Sequence, residues 1–242
     1  MDFVEKLRLK IFADGANFDE ICEMYKNPFI KGFTTNPTLM RKAGISDYEA
    51  FGRKVLAAVP DRPVSLEVFA DDLPTIQAQA EVIASWGANV NVKIPITTTD
   101  GTYTGPVLRA LSARGVVLNV TAILTLDQVR RVAADLAPGT PAIVSVFAGR
   151  IADTGVDPVP LMTEASRILA ACPRAELLWA SPREVLNVVQ AEQTGCHIIT
   201  ATKDVLSKLP TLGKGLEEFS LDTVKMFFRD ASAAGYTIAI GR

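Results

Sequence analysis

Histidine is nearly missing from this sequence: His197 is the only one in 242 residues. A multi-histidine catalytic zinc site therefore cannot be built. A Ser-His-Asp triad would have to use a histidine that sits in "GCHIIT" with no nucleophile elbow beside it. His197 is expected instead to satisfy a local hydrogen bond. Cysteine is scarce as well: Cys22, Cys172 and Cys196 form an odd, scattered set without metal-ligand spacing, which suits a reducing cytoplasm. An excess of charge is also lacking, with 25 Lys and Arg against 27 Asp and Glu. Without a basic block there is no electrostatic footprint for nucleic acid or anionic lipid. No apolar run approaches a membrane span, and the opening "MDFVEKLRLK" carries charges where a signal peptide needs its apolar region. No glycine-rich dinucleotide fingerprint or phosphate loop is visible, so a redox or nucleotide-dependent enzyme lacks a motif. Carbonyl chemistry here needs an organic electrophile rather than a metal.

What is present is apolar and regularly punctuated. Nearly half of the residues, 48%, are hydrophobic, enough for one large domain with a substantial core. Short β-like runs recur at 10–15, 32–36, 64–69, 90–96, 116–122, 142–148, 176–181 and 197–202. Amphipathic stretches lie between them, including "DLPTIQAQAEVIASWG", "TLDQVRRVAADLA", "VPLMTEASRILAAC" and "PREVLNVVQAEQTG". Strands separated by helical segments predict a parallel sheet, and eight such units predict a closed (β/α)8 barrel, α/β in class, as one domain over residues 1–242. Asn17/Glu20, Ser46/Glu49, Thr125/Gln128 and Ser181/Glu184 have the spacing of helix caps, and Asn36 is a further cap candidate. Gly87, Gly115 and Gly195 mark returns from helix to strand. The last segment, "SLDTVKMFFRDASAAGYTIAIGR", reads as a helix with an apolar tail, suited to covering the barrel or a neighbouring subunit.

One residue breaks the apolar pattern. In "NVKIPIT" Lys93 stands among Val90, Val92, Ile94 and Ile96, and buried strands avoid ammonium groups because desolvating a charge is expensive. Either its flexible stem reaches the strand end or the amine does chemistry. In a barrel, chemistry belongs at the carboxyl ends of the strands. The polar residues late in successive runs are Asp14, then Thr34 and Asn36, Glu67, Lys93, Asn119 and Thr121, Ser145, and Ser181, with Arg150 and Arg183 in the loops just beyond. Each alone is compatible with a cap, a loop hydrogen bond or a solvated charge. Together they bring an amine, two carboxylates and several neutral donors to one face.

Taken in order, "ADGAN", "GFTTNPT", "EV", "VKIP", "LNVTA", "SVFAGRIAD" and "ASPRE" resemble the transaldolase family, in particular its small bacterial-type members, which are related to the fructose-6-phosphate aldolases. The resemblance runs over roughly residues 9–232. It implies a class I, Schiff-base (β/α)8 barrel with its lysine on the fourth strand, which is where the independent strand count puts Lys93. By that resemblance Lys93 condenses with a ketose carbonyl, a step that needs a neutral amine. Asp14 handles the C4 hydroxyl proton, and Glu67 and Thr121 hold a catalytic water. Asn36, Asn119 and Ser145 hold the dihydroxyacetone unit, with Thr34 supporting the Asn36 turn. Arg150, Ser181 and Arg183 take the phosphate, and "SPRE" also makes sense as a helix start whose N-terminus favours an anion. A sulfonated sugar could use the same three groups.

Phe147 separates two reactions within the resemblance. Transaldolases usually carry phenylalanine there and the related aldolases tyrosine, whose hydroxyl assists release of free dihydroxyacetone; Glu67 likewise follows the transaldolase pattern, since those aldolases tend to have glutamine. Packing at the barrel mouth would also suffice for a Phe. Transaldolase is therefore the expected activity, with no cofactor and no metal. A fructose-6-phosphate aldolase-like enzyme is the first alternative, and a catalytically silent sugar-phosphate-binding barrel is the non-enzyme one. The expected partners are sugar phosphates, with neither nucleic acid nor membrane. The resemblance further implies a homo-oligomer, a pentamer or decamer built through C-terminal helices.

Overall fold

The computed structural model describes residues 2–240. Eight strands follow one another as β1 Lys10–Asp14, β2 Ile30–Thr34, β3 Val64–Glu67, β4 Val90–Pro95, β5 Leu118–Ile123, β6 Ala142–Val146, β7 Ala175–Trp179 and β8 Ile198–Ala201. Each pairs in parallel with the next, and β8 closes on β1. Helices alternate with the strands and cover them from outside, so both faces of the sheet are shielded and strands such as β6 are buried along their whole length. The fold is the closed (β/α)8 barrel that the eight runs predict.

Two apolar layers hold it together. The larger lies between barrel and helices, with Ile30, Leu66, Val92, Val120, Val144, Leu177 and Ile199 pointing outward onto the helices. The smaller fills the barrel itself, where Phe12, Ile143, Leu178 and Ile198 close the interior. Gly32 belongs to this inner packing, since a Cβ there would press on the Phe12 ring at 2.6 Å.

Helix starts divide according to how local their chemistry is. Thr125 and Gln128 form a full capping box, and Asn17 and Asn36 accept from the backbone N–H groups of Glu20 and Leu39. Ser46 is not the cap expected of it. Asp47, one residue later, accepts from Ala50 N–H and opens helix Tyr48–Ala58, while Glu49 turns to Arg53. The Ser181/Glu184 box does not form either. Helix Leu186–Gln193 starts beyond it, and the Asn187 side chain accepts from the N–H groups of Arg183 and Glu184 instead. Strand β2 lies at 30–34 rather than 32–36, because Thr35 and Asn36 already belong to the turn that Asn36 caps. Gly115 and Gly195 take the left-handed backbone at their helix ends. His197, just before β8, accepts at Nδ1 from Leu177 N–H at 3.0 Å, the local hydrogen bond expected of it. The final helix, Leu216–Ala233, buries none of its residues on the barrel. No described helix is long and apolar enough to cross a membrane.

Candidate active site

A cavity of about 570 Å³ opens at the carboxyl ends of the strands. Asp14, Thr34, Asn36, Glu67, Lys93, Asn119, Thr121, Ser145, Phe147, Arg150 and Ser181 all line it; of the residues singled out in the sequence, only Arg183 does not. The register explains the convergence. Asp14 is opposite Thr34, Glu67 opposite Lys93, and Lys93 opposite Asn119 on neighbouring strands. Parallel strands in a tilted barrel thus bring side chains of like parity to one level.

Lys93 is 7% exposed. Its amine lies 3.0 Å from Glu67 Oε2 and donates to the Thr35 carbonyl at 2.9 Å. The flexible stem therefore does not carry the nitrogen out to solvent; it ends at the base of the cavity beside a carboxylate. Across the cavity Asp14 is half-buried, and the partial loss of solvent pushes its carboxyl up from 3.8; the charge of Lys93 and then a hydrogen bond from Thr34 oppose this. That bond, Thr34 Oγ1 to Asp14 Oδ1, is 2.7 Å long. Thr34 thus serves Asp14 directly, a contact different from the turn-supporting one expected of it.

The neutral groups form a second network. Ser145 donates to Asn119 Oδ1 at 2.7 Å, and Asn119 Nδ2 donates to Ser65 Oγ at 2.9 Å, which fixes which way the amide faces. Thr121 is 2% exposed, and its hydroxyl meets no hydrogen-bond partner. The next residue, Ala122, holds φ at 62°, where the β5–β6 register slips between Val120 and Ile123. A non-glycine residue in that conformation is strained, and such bulges re-aim side chains beside sites.

At the mouth, the Arg150 guanidinium lies 5.5 Å from the Phe147 ring centre. Ser181 also takes a left-handed backbone, φ 57°, and its carbonyl oxygen lies over Gly149 so closely that a Cβ there would overlap it. Arg183 is turned to Asp153, donating from Nε at 2.8 Å and from a second nitrogen. Asp153 is held below the usual carboxylate range by that bond and by the nearby charges of Arg183 and Arg150. Both guanidinium groups thus act on one exposed carboxylate.

Sequence reading misses four participants. Thr200 on β8 lies 2.6 Å from Thr34 Oγ1. Ser65 holds Asn119. Asp153 holds Arg183 although "SVFAGRIAD" contains it. Tyr48 donates to the Glu67 carbonyl at 2.8 Å and packs against Phe69, tying down the end of β3. None carries a local signal; a threonine or serine in a strand looks like any other strand residue.

Comparison with known proteins places the chain by family and fold. The family model described as Transaldolase/Fructose-6-phosphate aldolase matches residues 11–238. A protein of Dehalococcoides mccartyi named probable transaldolase is 36% identical over 218 residues, covering 88% of this chain and 97% of its own. One of Listeria monocytogenes, named probable transaldolase 2, is 33% identical and covers 88% and 95%. Among solved structures, dihydrodipicolinate synthase from Rhodopseudomonas palustris superposes with a TM-score of 0.56 at 14% identity, covering 80% of this chain and 69% of that one. At that identity the likeness is one of fold. The chain belongs to the transaldolase/fructose-6-phosphate aldolase family.

Proposed function

We propose that this protein transfers a dihydroxyacetone unit from a ketose phosphate, such as fructose 6-phosphate or sedoheptulose 7-phosphate, to an aldose phosphate through a Schiff base on Lys93. The observation that carries the reading is a buried amine at the base of a cavity, flanked by Glu67 and facing a second, half-buried carboxyl, Asp14. Glu67 is placed to take the proton that the amine gives up before it attacks the ketose carbonyl. Attack forms a carbinolamine; loss of water leaves an iminium. A water held between Glu67 and the unpartnered Thr121 hydroxyl fits both proton transfers. Asp14 then accepts the C4 hydroxyl proton, the C3–C4 electron pair moves to the iminium, and an aldehyde leaves. The enamine that stays on Lys93 attacks the acceptor aldehyde, and the steps run in reverse.

Asn36, Asn119 and Ser145 face the volume the dihydroxyacetone carbons would fill. Arg150 and Ser181 stand where the terminal phosphate would emerge, and Arg183 joins them when the phosphate displaces Asp153. A sulfonate would meet the same groups.

Phe147 supports transfer over release. It offers the enamine no hydroxyl, so protonation and hydrolysis are disfavoured while an acceptor is present. With fructose 6-phosphate and erythrose 4-phosphate the protein is expected to make sedoheptulose 7-phosphate with little free dihydroxyacetone. Phe147→Tyr should gain release and lose transfer, as read by product analysis. An unmodified protein that releases dihydroxyacetone faster than it transfers it would overturn transfer in favour of the aldolase reading. Product without any covalent intermediate would sink the mechanism.

We also propose that the working form is a homo-oligomer, a pentamer or decamer as the family resemblance implies. Helix Leu216–Ala233 exposes Phe219, Leu221, Val224, Met226, Phe227 and Phe228, and Tyr236, Ile238 and Ile240 follow, apolar side chains that a second copy of the chain would cover. Sedimentation should show an oligomer that Phe227→Asp with Phe228→Asp dissociates. A monomeric unmodified protein would refute this.

A further inference from the structure

Thr200 stands on β8 and Thr34 on β2, the two strands that flank β1 in the closed barrel. Their side chains meet inside it, Oγ1 to Oγ1 at 2.6 Å, and Thr34 Oγ1 continues to Asp14 Oδ1 at 2.7 Å. Thr200 is 6% and Thr34 3% exposed, so solvent competes little for either hydroxyl.

The direction of this chain follows from a count of hydrogens. A carboxylate only accepts, and a threonine hydroxyl has one hydrogen to give. With Asp14 ionised, the Thr34 hydrogen is committed to Oδ1, and the contact between the two threonines exists only if Thr200 donates. The order is then Thr200 to Thr34 to Asp14, each bond polarising the next. We propose that Thr200 is a positioning residue for the acid/base carboxyl, its hydroxyl acting through Thr34 to favour Asp14 in the ionised, proton-accepting form. The inference rests on the reading of Asp14 given above and extends it to a residue on the neighbouring strand β8.

A neutral donor chain suits this place. The charges that act on Asp14 are Lys93 from β4, which favours its ionised form, and Glu67 from β3, which opposes it. Two nearby lysines are engaged elsewhere: Lys10 on β1 with Glu176, and Lys203, just after β8, with Glu20 and Glu23; Lys31 on β2 is exposed at the opposite end of its strand from Thr34. Lys93 carries no charge while it is a free amine or an enamine, so its help to Asp14 comes and goes within one turnover. The hydroxyl chain persists through every step.

The test titrates Asp14 in protein carrying carbon-13 at its aspartate carboxyls, without substrate, the signal being assigned by its loss in Asp14→Asn. Thr200→Val keeps shape and removes the donor; it should raise the Asp14 midpoint by about half to one pH unit, or about three- to tenfold in proton affinity. The acid limb of kcat/KM should move up with it. Thr200→Ser should restore the midpoint, and Thr200→Ala should repeat the shift with a smaller side chain. In a Thr34→Val background Thr200→Val should add nothing, because its path to Asp14 is gone. An unmoved midpoint in both Thr200→Val and Thr200→Ala, or an equal shift with and without Thr34, would overturn the proposal. Failure of the parent reading looks different: no covalent adduct at Lys93 in the unmodified protein.

Discussion

Lys93→Met is expected to leave a folded barrel that forms no covalent adduct and has lost activity by on the order of 10⁴ or more, as removal of a covalent nucleophile does. Incubation of the unmodified protein with fructose 6-phosphate and borohydride should add the reduced three-carbon fragment to one peptide, the one containing Lys93. Met fills a similar volume, so packing around β4 survives. The electrostatics do not. Glu67 loses its partner at 3.0 Å, and Asp14 loses the strongest influence opposing its burial. The pair sits at the base of an open cavity where water reaches the orphaned carboxylate, so the loss is about 1–3 kcal/mol rather than that of a sealed pair. Asp14 gives this loss a pH dependence. Its folded-state pKa is raised and rises further without Lys93, so its share of the penalty is full above that value. It fades as pH falls through the raised value toward the ordinary 3.8. Denaturation at several pH values reads this, and an adduct on another lysine, such as Lys203, would show the nucleophile to be misassigned.

Gly149→Ala should be the most damaging small substitution near the site. A methyl group there would overlap the carbonyl oxygen of Ser181, and backbone atoms cannot step aside as a flexible side chain does. We expect about 3 kcal/mol or more of lost stability in urea. Whatever structure remains should have its Ser181 segment displaced, raising KM for phosphorylated substrates. Gly139→Ala is the control: nothing lies within 4 Å of its new Cβ, and a change within about 0.5 kcal/mol is expected. Equal effects at both positions would mean that Ser181 does not constrain Gly149.

The contrast between local and distant contacts explains what could be read in advance. The eight strands are legible because apolar runs alternate with amphipathic segments, and Thr125 and Asn17 are legible as caps because their partners lie three residues on. "SPRE" has the same spacing, yet Ser181 leaves helical geometry to lie against Gly149, a contact across two strand ends that no local pattern contains. Arg183 is recognisable as a cation near the mouth, but its Asp153 partner is thirty residues away. Lys93 could be found because it violates the apolar rule around it. Thr200 and Ser65 obey the rules of their strands, so their service to Asp14 and Asn119 emerges only when the barrel closes.

The ring of Phe12, Ile143, Leu178 and Ile198 that fills the barrel interior has a consequence for traffic. It closes the interior beneath the cavity, whose doorway lies at the carboxyl ends of the strands, where Arg150 and Phe147 are among the lining residues. On the proposed reaction, the aldehyde that leaves and the aldehyde that arrives must use that doorway in turn. The first has to clear it before the second can approach the enamine. The chain therefore spends part of each cycle as a loaded carrier with neither aldehyde bound, and donor and acceptor sugars contend for the same standing room rather than meeting side by side.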